Sequence, residues 1–326
     1  MACIGGCNSA RSLRVALLAM CGLIASLAAD AADSSAAQPF LGRWDLTLST
    51  PERDHASWLD ITMQGSRLSV RMVGRWGHAR ELPSAEVSQG RIRFVSPKEE
   101  EGRDRTDMVF EGRLSGDALV GTTTGPDGTP WQWRGERAPP LKRDRPPRWQ
   151  QPVELFNGRD LTGWHPSEGG TAASWHVKDG ALISSGRGAE LITNAKYDDF
   201  KLHIEFKIGL RANSGVYLRG RYEVQIEDDA QPEGPTQQLG AVYGFLAPSP
   251  PPARGSGDWQ AYDITLVGRT ITVVLNGRTI IDRREIPGIT GGALDSHEAE
   301  PGPLYLQGSE QGQVAFRNIV VTPARH

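Results

Sequence analysis

The sequence predicts an all-β protein, a small antiparallel barrel or sandwich followed by a larger two-sheet antiparallel sandwich. Three observations carry this expectation. Short runs of alternating apolar and polar residues recur along most of the chain. Turn dipeptides such as Gln64-Gly65, Asp127-Gly128, Asp179-Gly180 and Asn276-Gly277 fall between them. The composition, 38 Gly and 22 Pro against 5 Met in 326 residues, favours turns and short strands over helices. This length also exceeds one minimal domain and predicts two domains with separate cores.

Residues 1–29 read as a signal peptide. Arg11 and Arg14 precede an apolar run over 15–27, long enough for a signal-peptide h-region and too short to span a bilayer. Small residues at Ala28, Ala29 and Ala31 follow as cleavage sites, and the run ending in Met20-Cys21 is a poor match to lipoprotein processing. The expected location is periplasmic or secreted, with no transmembrane anchor in the mature form. All three cysteines, Cys3, Cys7 and Cys21, lie in this segment. A mature chain would then carry no disulfide framework, thiolate nucleophile or Cys-based metal site. Its formal charge would move from −3 to −5, because Arg11 and Arg14 leave and no acid precedes Asp30. An acidic, exported chain is not built for nucleic acid.

Residues 30–39, rich in Ala, Ser and Asp, predict a flexible leader. Over 40–137, strands are expected at 42–48, 57–63, 67–73, 91–95, 108–114, 119–124 and 131–135, forming the smaller domain. Its Trp44, Trp58, Trp76, Trp131 and Trp133 are expected mainly to plug the interior, although an exposed Trp suits stacking on a sugar face. Residues 138–152, dense in Pro and basic side chains, predict a stiff, solvated linker.

The strand pattern resumes over 153–324. Strands are expected at 174–177, 181–184, 191–192, 201–208, 215–218, 222–226 and 240–243, then at 261–267, 270–275, 278–282, 304–307 and 314–321. Asn213, Ser214 and Gly215 read as a tight turn. Alternation puts Leu202, Ile204 and Phe206 on one face and His203 and Glu205 on the other. In the next two strands Tyr217, Arg219, Glu223, Gln225 and Glu227 oppose Val216, Leu218, Val224 and Ile226. If these strands are neighbours, one sheet face gathers His203, Glu205, Tyr217, Arg219, Glu223 and Gln225. A half-exposed sheet is polar on its outer face in any case. Long polar side chains overlooked by the excursions at 228–239 and 244–257 fit a binding face better. Glu223, Gln225 and Glu227 also echo the acidic run of sandwich-fold retaining glucanases, with an amide where that scheme has an acid.

No GxSxG elbow, P-loop, HExxH or Rossmann fingerprint is present. No nicotinamide or flavin cofactor is therefore expected. The seven histidines are scattered without metal-ligand spacing, which leaves a divalent metal held by oxygen ligands and His203 open.

A family resemblance enters through ordered motifs: FNGRDLTGW at 156–164, WHVKDGALIS at 175–184, ELITNAKYDDFKLHIEFKI at 190–208, NSGVYLRG at 213–220, YEVQIED at 222–228, GAVYG at 240–244 and FRNIVV at 316–321. Together they resemble the former domain of unknown function 1080, described as 3-keto-glycoside hydrolase, 3-keto-glucoside 1,2-lyase and 3-keto-2-hydroxyglucal hydratase. The resemblance implies a concanavalin A-like jelly roll. It implies a small-molecule glycoside substrate already oxidised at C3 by a separate oxidoreductase, and cleavage by C2 proton abstraction. On that reading Glu205 or Glu223 is the base, and Arg219 and Gln225 face the enolate or sugar hydroxyls. Tyr217 or Tyr243 acts as acid or stacking platform, and His203, Asn213 and Gln307 contact substrate. The family's last loop commonly carries His-Gly after the Leu-Gln pair. Here the order is Leu306, Gln307, Gly308, Ser309, Glu310, Gln311, Gly312, so Glu310 becomes the candidate in place of the His. Two other readings remain: a non-catalytic carbohydrate-binding protein, and a retaining glycosidase using Glu223 and Glu227.

Overall fold

The computed structural model describes residues 35–97, 107–125, 128–168, 170–185, 189–228, 234–252, 256–309 and 312–325. The expected signal peptide and residue Glu310 lie outside this set. Among the described residues no helix is long and apolar enough to cross a membrane.

The first unit contains β1 (Gly42–Ser49), β2 (Asp54–Gln64), β3 (Arg67–Val73), β4 (Arg80–Glu81), β5 (Ala85–Ser88), β6 (Arg91–Ser96), β7 (Met108–Ser115), β8 (Ala118–Thr124) and β9 (Pro130–Arg137). They form one antiparallel sheet in the order β4-β3-β2-β1-β9-β8-β7-β6-β5. Its inner face packs Trp44, Leu59, Met72, Phe94, Phe110 and Trp133 into one cluster. Two glycines make room for the largest of them. A Cβ at Gly112 or Gly121 would lie 2.4 or 2.5 Å from the Trp133 ring.

The second unit contains β10 (Arg148–Trp149), β11 (Val153–Glu154), β12 (Trp164–Pro166), β13 (Trp175–Lys178), β14 (Ala181–Ser185), β15 (Leu191–Tyr197), β16 (Phe200–Ile208), β17 (Asn213–Leu218), β18 (Tyr222–Glu227), β19 (Trp259–Val267), β20 (Thr270–Leu275), β21 (Arg278–Glu285), β22 (Gly302–Leu306) and β23 (Gln313–Arg325). One sheet runs β13-β14-β23-β16-β19-β20-β21, with β10 and β11 on β23, and the other runs β12-β15-β22-β17-β18. Phe200, Leu202, Ile204 and Phe206 from the first sheet meet Val216, Leu218, Val224 and Ile226 from the second in a shared core. This is the two-sheet antiparallel sandwich that the alternation predicts, and the all-β jelly-roll class that the resemblance implies. Tight hairpins close where the sequence marks them: Asp179-Gly180 and Asn276-Gly277 all take positive φ.

Four expectations need correction. Asn213, Ser214 and Gly215 are not a turn but the start of β17, because their backbone pairs with Glu227, Ile226 and Gln225. The turn comes earlier, where Ala212 N–H donates to Gly209 O. Residues 240–243 do not form a named strand; only Val242 makes an isolated bridge to Val224. The 138–152 segment is strapped to the sandwich rather than solvated. Arg143 pairs with Asp198 and Asp199 at 2.7 and 2.8 Å, and Trp149 pairs with Ala324 in the sheet. Finally, the cores are not separate: Ala56, Trp58, Val73 and Ala79 of the first unit belong to the same apolar cluster as the sandwich interior. Outward-facing residues of β2 made this possible, since Trp58 alternates with the inward Leu59 and packs edge-on against Phe245 at 5.1 Å.

Candidate active site

The smaller sheet of the sandwich sets out a row of side chains by register alone. His165 pairs with Ile192, Ile192 with Tyr305, Tyr305 with Tyr217, and Tyr217 with Glu223. Period-2 alternation places this row on the face opposite the core-facing Leu191, Leu306, Val216 and Val224. One step along the strands Gly215 pairs with Gln225, and Gln307 N–H donates to Gly215 O.

Glu223 is the centre of the arrangement. It is 3% exposed, and the absence of a side chain at Gly215 gives its carboxylate a place to lie: a Cβ there would be 2.2 Å from Glu223 Oε1. Tyr217 O–H donates to Glu223 Oε2 at 2.9 Å. The Gln225 amide, oriented to satisfy its surroundings, donates from its nitrogen to Ser214 O at 3.0 Å and to Glu223 Oε1 at 3.1 Å. A buried carboxylate needs such donors, because desolvation of an unpaired charge is prohibitive.

The Tyr217 oxygen also lies 2.8 Å from Gly291 O. One phenolic proton cannot serve both acceptors at once. With Glu223 ionised the phenol donates to the carboxylate. With Glu223 protonated, the acid can donate to the phenol, whose proton turns to Gly291 O. Glu223 can thus gain or lose a proton while keeping a hydrogen bond to Tyr217 in either state. Burial, then the Glu223 charge, raises the Tyr217 pKa well above the usual tyrosine value, so the phenol stays protonated. Tyr305 stacks on Tyr217 with centroids 4.1 Å apart, and its pKa is raised by burial and then by Glu190 and Glu223.

Loops hold this row in place. The open edge of β18 is covered by the chain at 240–243: Gln225 N–H donates to Ala241 O, Gly240 N–H to Gln225 O, and Tyr243 N–H to Glu223 O. This fixes the half-buried Tyr243 against the Glu223 main chain. Asn213, Glu227 and Gln307 are likewise half-buried around Gln225. Asn213 Oδ1 and Gln307 Oε1 have no hydrogen-bond partner among the described residues, an arrangement that a ligand hydroxyl would satisfy.

The structure therefore brings together Tyr217, Glu223, Gln225 and Tyr243, with Asn213 and Gln307 at the rim. It does not bring in Glu205, His203 or Arg219. Glu205 and His203 lie on β16, in the other sheet, and the sandwich core separates them from Glu223. Glu205 accepts from Arg317 at 2.6 Å and Asn318 at 2.7 Å. Burial raises its pKa, but these two partners outweigh that and hold the carboxyl below its usual range, which suits an ion pair rather than a base. His203 pairs with Asp263 at 2.7 Å. Arg219 leaves the alternation because it takes φ +54 at the end of β17. Its fully buried guanidinium turns to Asp198 at 3.2 Å and to Gly268 O. No group of three His, Cys, Asp or Glu side chains among the described residues is placed to hold a metal ion.

Sequence reasoning missed Tyr305 and the loop carrying Gly291. Tyr305 had a signal: two residues before Gln307 in an expected strand, it shares that residue's face. Gly291 had none, because its role comes from a carbonyl that a distant loop delivers.

Fold and geometry together define a jelly-roll sandwich with a buried cluster of carboxylate, phenol and amide on its smaller sheet. Residues 151–322 match the model of the 3-keto-alpha-glucoside-1,2-lyase-like domain, and the chain belongs to that family. A 3-keto-disaccharide hydrolase of Bacteroides thetaiotaomicron is 19% identical over 167 residues, 40% of this chain and 57% of that protein. The chain thus spans little more than half the length of that relative. Among solved structures, a protein of Parabacteroides distasonis described as a glycosyl hydrolase is 27% identical, with a TM-score of 0.46 over 55% of this chain and 92% of that one. The β-glucanase of Bacillus licheniformis is 14% identical, with a TM-score of 0.34 over 56% of this chain and all of the other.

Proposed function

We propose that this protein cleaves glycosides already oxidised at C3, with Glu223 as the base. The observation that carries the reading is the buried Glu223 carboxylate, braced by Tyr217 and Gln225 and able to change protonation state through the Tyr217–Gly291 switch. A C3 carbonyl acidifies the C2 hydrogen. Glu223 takes that proton and the C2–H electron pair enters an enolate whose charge rests on the C3 oxygen. The C1–O bond then breaks, C1=C2 forms, the C3 carbonyl returns and the departing oxygen takes a proton. Half-buried Tyr243 supplies that proton, and the rim amides of Asn213 and Gln307 are the donors on hand for the C3 oxygen. Water adding to C1, with Glu223 protonating C2 after its proton has exchanged with solvent, yields the free 3-keto sugar. A separate oxidoreductase must supply such a substrate, and the N-terminal segment fits action outside the cytoplasm.

The test is incubation with a 3-keto-glucoside, a 3-keto-disaccharide and their unoxidised parents in D2O. Release of the aglycone from keto forms alone, with deuterium at C2 of the sugar, supports the reading. Release without C2 deuterium overturns elimination. Cleavage of the unoxidised parents would instead favour a retaining glycosidase based on Glu223 and Glu227, and binding without turnover a non-catalytic carbohydrate-binding role.

A further inference from the structure

The first unit approaches the site more closely than an appended domain needs to. Its β3–β4 connection lies against the loop that serves Tyr217. Gly292 N–H donates to Arg75 O, and a Cβ at Gly291 would lie 2.2 Å from Gly77 O. On the other side of the same glycine pair, a Cβ at Gly292 would lie 2.8 Å from the Tyr217 hydroxyl. Beside this contact a cleft of about 560 Å³ opens between the two units, within the ~300–1,000 Å³ range of small-ligand sites. Arg53, His55 and Trp76 line it from the first unit, and Ser167, Glu168 and Glu190 from the sandwich.

Its composition is that of a sugar subsite. Trp76 is 45% exposed, whereas Trp44, Trp58, Trp131 and Trp133 are at most 4% exposed. His55 packs against it in a T-shaped contact, 5.5 Å between centroids at 75°, and so holds the indole in place. A fixed, exposed indole offers an apolar plane to the C–H face of a pyranose. Carboxylates and a guanidinium around it match the hydroxyl rim of the same ring. The Glu190 carboxylate, oriented by the Ser167 hydroxyl at 2.5 Å, is the bridge to the catalytic row. Register carries the row from Glu190 to the base: Leu191 and Ile192, which follow Glu190, pair with Leu306 and Tyr305, and Tyr305 pairs with Tyr217, which pairs with Glu223.

We infer that the β1–β9 unit completes the active site, with Trp76 and Arg53 binding the second sugar ring of a disaccharide across the scissile bond from Glu223. The inference rests on the glycoside reading above and adds to it a role for the first unit. The ring held there is the leaving group, so its binding raises the turnover of disaccharides over glycosides with a small aglycone.

Two measurements on the full chain test this. In the first, kcat/KM for a 3-keto-disaccharide is divided by that for a methyl 3-ketoglucoside. Trp76→Ala and Arg53→Ala should each lower the ratio about tenfold, worth ~1.4 kcal/mol, and Trp76→Phe should restore part of it. A ratio unchanged in both alanine variants overturns the inference, as does equal loss on both substrates. The second, calorimetric titration with unoxidised trehalose, needs no turnover. Binding to the wild type that weakens about tenfold in Trp76→Ala supports the subsite even if no 3-keto-glycoside is cleaved, an outcome that would refute only the proposed reaction. No difference between the proteins in trehalose affinity overturns it.

Discussion

Glu223 and Gly215 are a single device at the residue scale, since the carboxylate occupies the volume that any side chain at 215 would fill. Glu223→Gln keeps the volume and removes the base. We expect kcat on a 3-keto-glycoside to fall ~10²–10⁴-fold, with unchanged circular dichroism. Activity within tenfold of wild type would reject Glu223 as base. Gly215→Ala acts from the opposite strand: the new Cβ must displace the carboxylate from Tyr217 and Gln225. Its expected loss is of the same order, ~10²-fold or more, because such displacements of about 1 Å are costly in positioned chemistry. Equal kcat in wild type and Gly215→Ala would show that the carboxylate is not held as described. The alternation of β17 and β18 made Tyr217, Glu223 and Gln225 legible in the sequence. It could not separate Glu223 from Glu205, because both point away from apolar neighbours and period-2 patterning does not say which sheet a strand joins.

At the scale of elements, the linker shows where composition misleads. A run of Pro and basic residues reads as solvated, yet Arg143 crosses to the β15–β16 connection, pairs with Asp198 and Asp199, and shares Asp198 with Arg219. Asp199 is fully buried, and it also accepts from the Gly268 backbone N–H at 2.8 Å. Burial raises its pKa, but the Arg143 hydrogen bond, the Gly268 N–H and the two guanidinium charges outweigh this and leave it lowered. Removing the acid leaves the Gly268 N–H without its acceptor and takes one of two carboxylates from Arg143 in a buried site. We expect Asp199→Ala to destabilise the fold by ~3–5 kcal/mol, read as a lower urea midpoint. A change below ~1 kcal/mol would show the strap to be incidental, as exposed pairs commonly are. No residue spacing announces this network, because its members are separated by 56 positions between Arg143 and Asp199. The hairpins were legible for the opposite reason: Asp179-Gly180 and Asn276-Gly277 encode positive φ locally.

For the whole molecule, the question is how an apolar cluster shared between two units also buries charge. At their interface Glu298 accepts from Tyr222 O–H at 2.6 Å and from Arg269 at 2.8 Å, and Asp45 of β1 faces it. Burial first, then the neighbouring Glu298 charge, pushes Asp45 from 3.8 up to about 9. Asp45 is therefore protonated at neutral pH and donates to Glu298, the arrangement that lets two carboxyls share a dry site. The sign follows from linkage. The folded protein keeps a proton that the unfolded chain releases near pH 3.8, so this contribution to stability is complete below that pH and is lost as pH rises toward about 9. Its slope cannot exceed ~1.4 kcal/mol per pH unit for one proton. Asp45→Asn keeps a neutral donor at the same position without titrating. The melting temperature of the wild type should fall relative to that of Asp45→Asn as pH rises from 5 to 9, and the two should converge toward pH 4. Parallel curves across that range would mean that Asp45 holds no extra proton in the folded state, and that the interface carries its charge in another way.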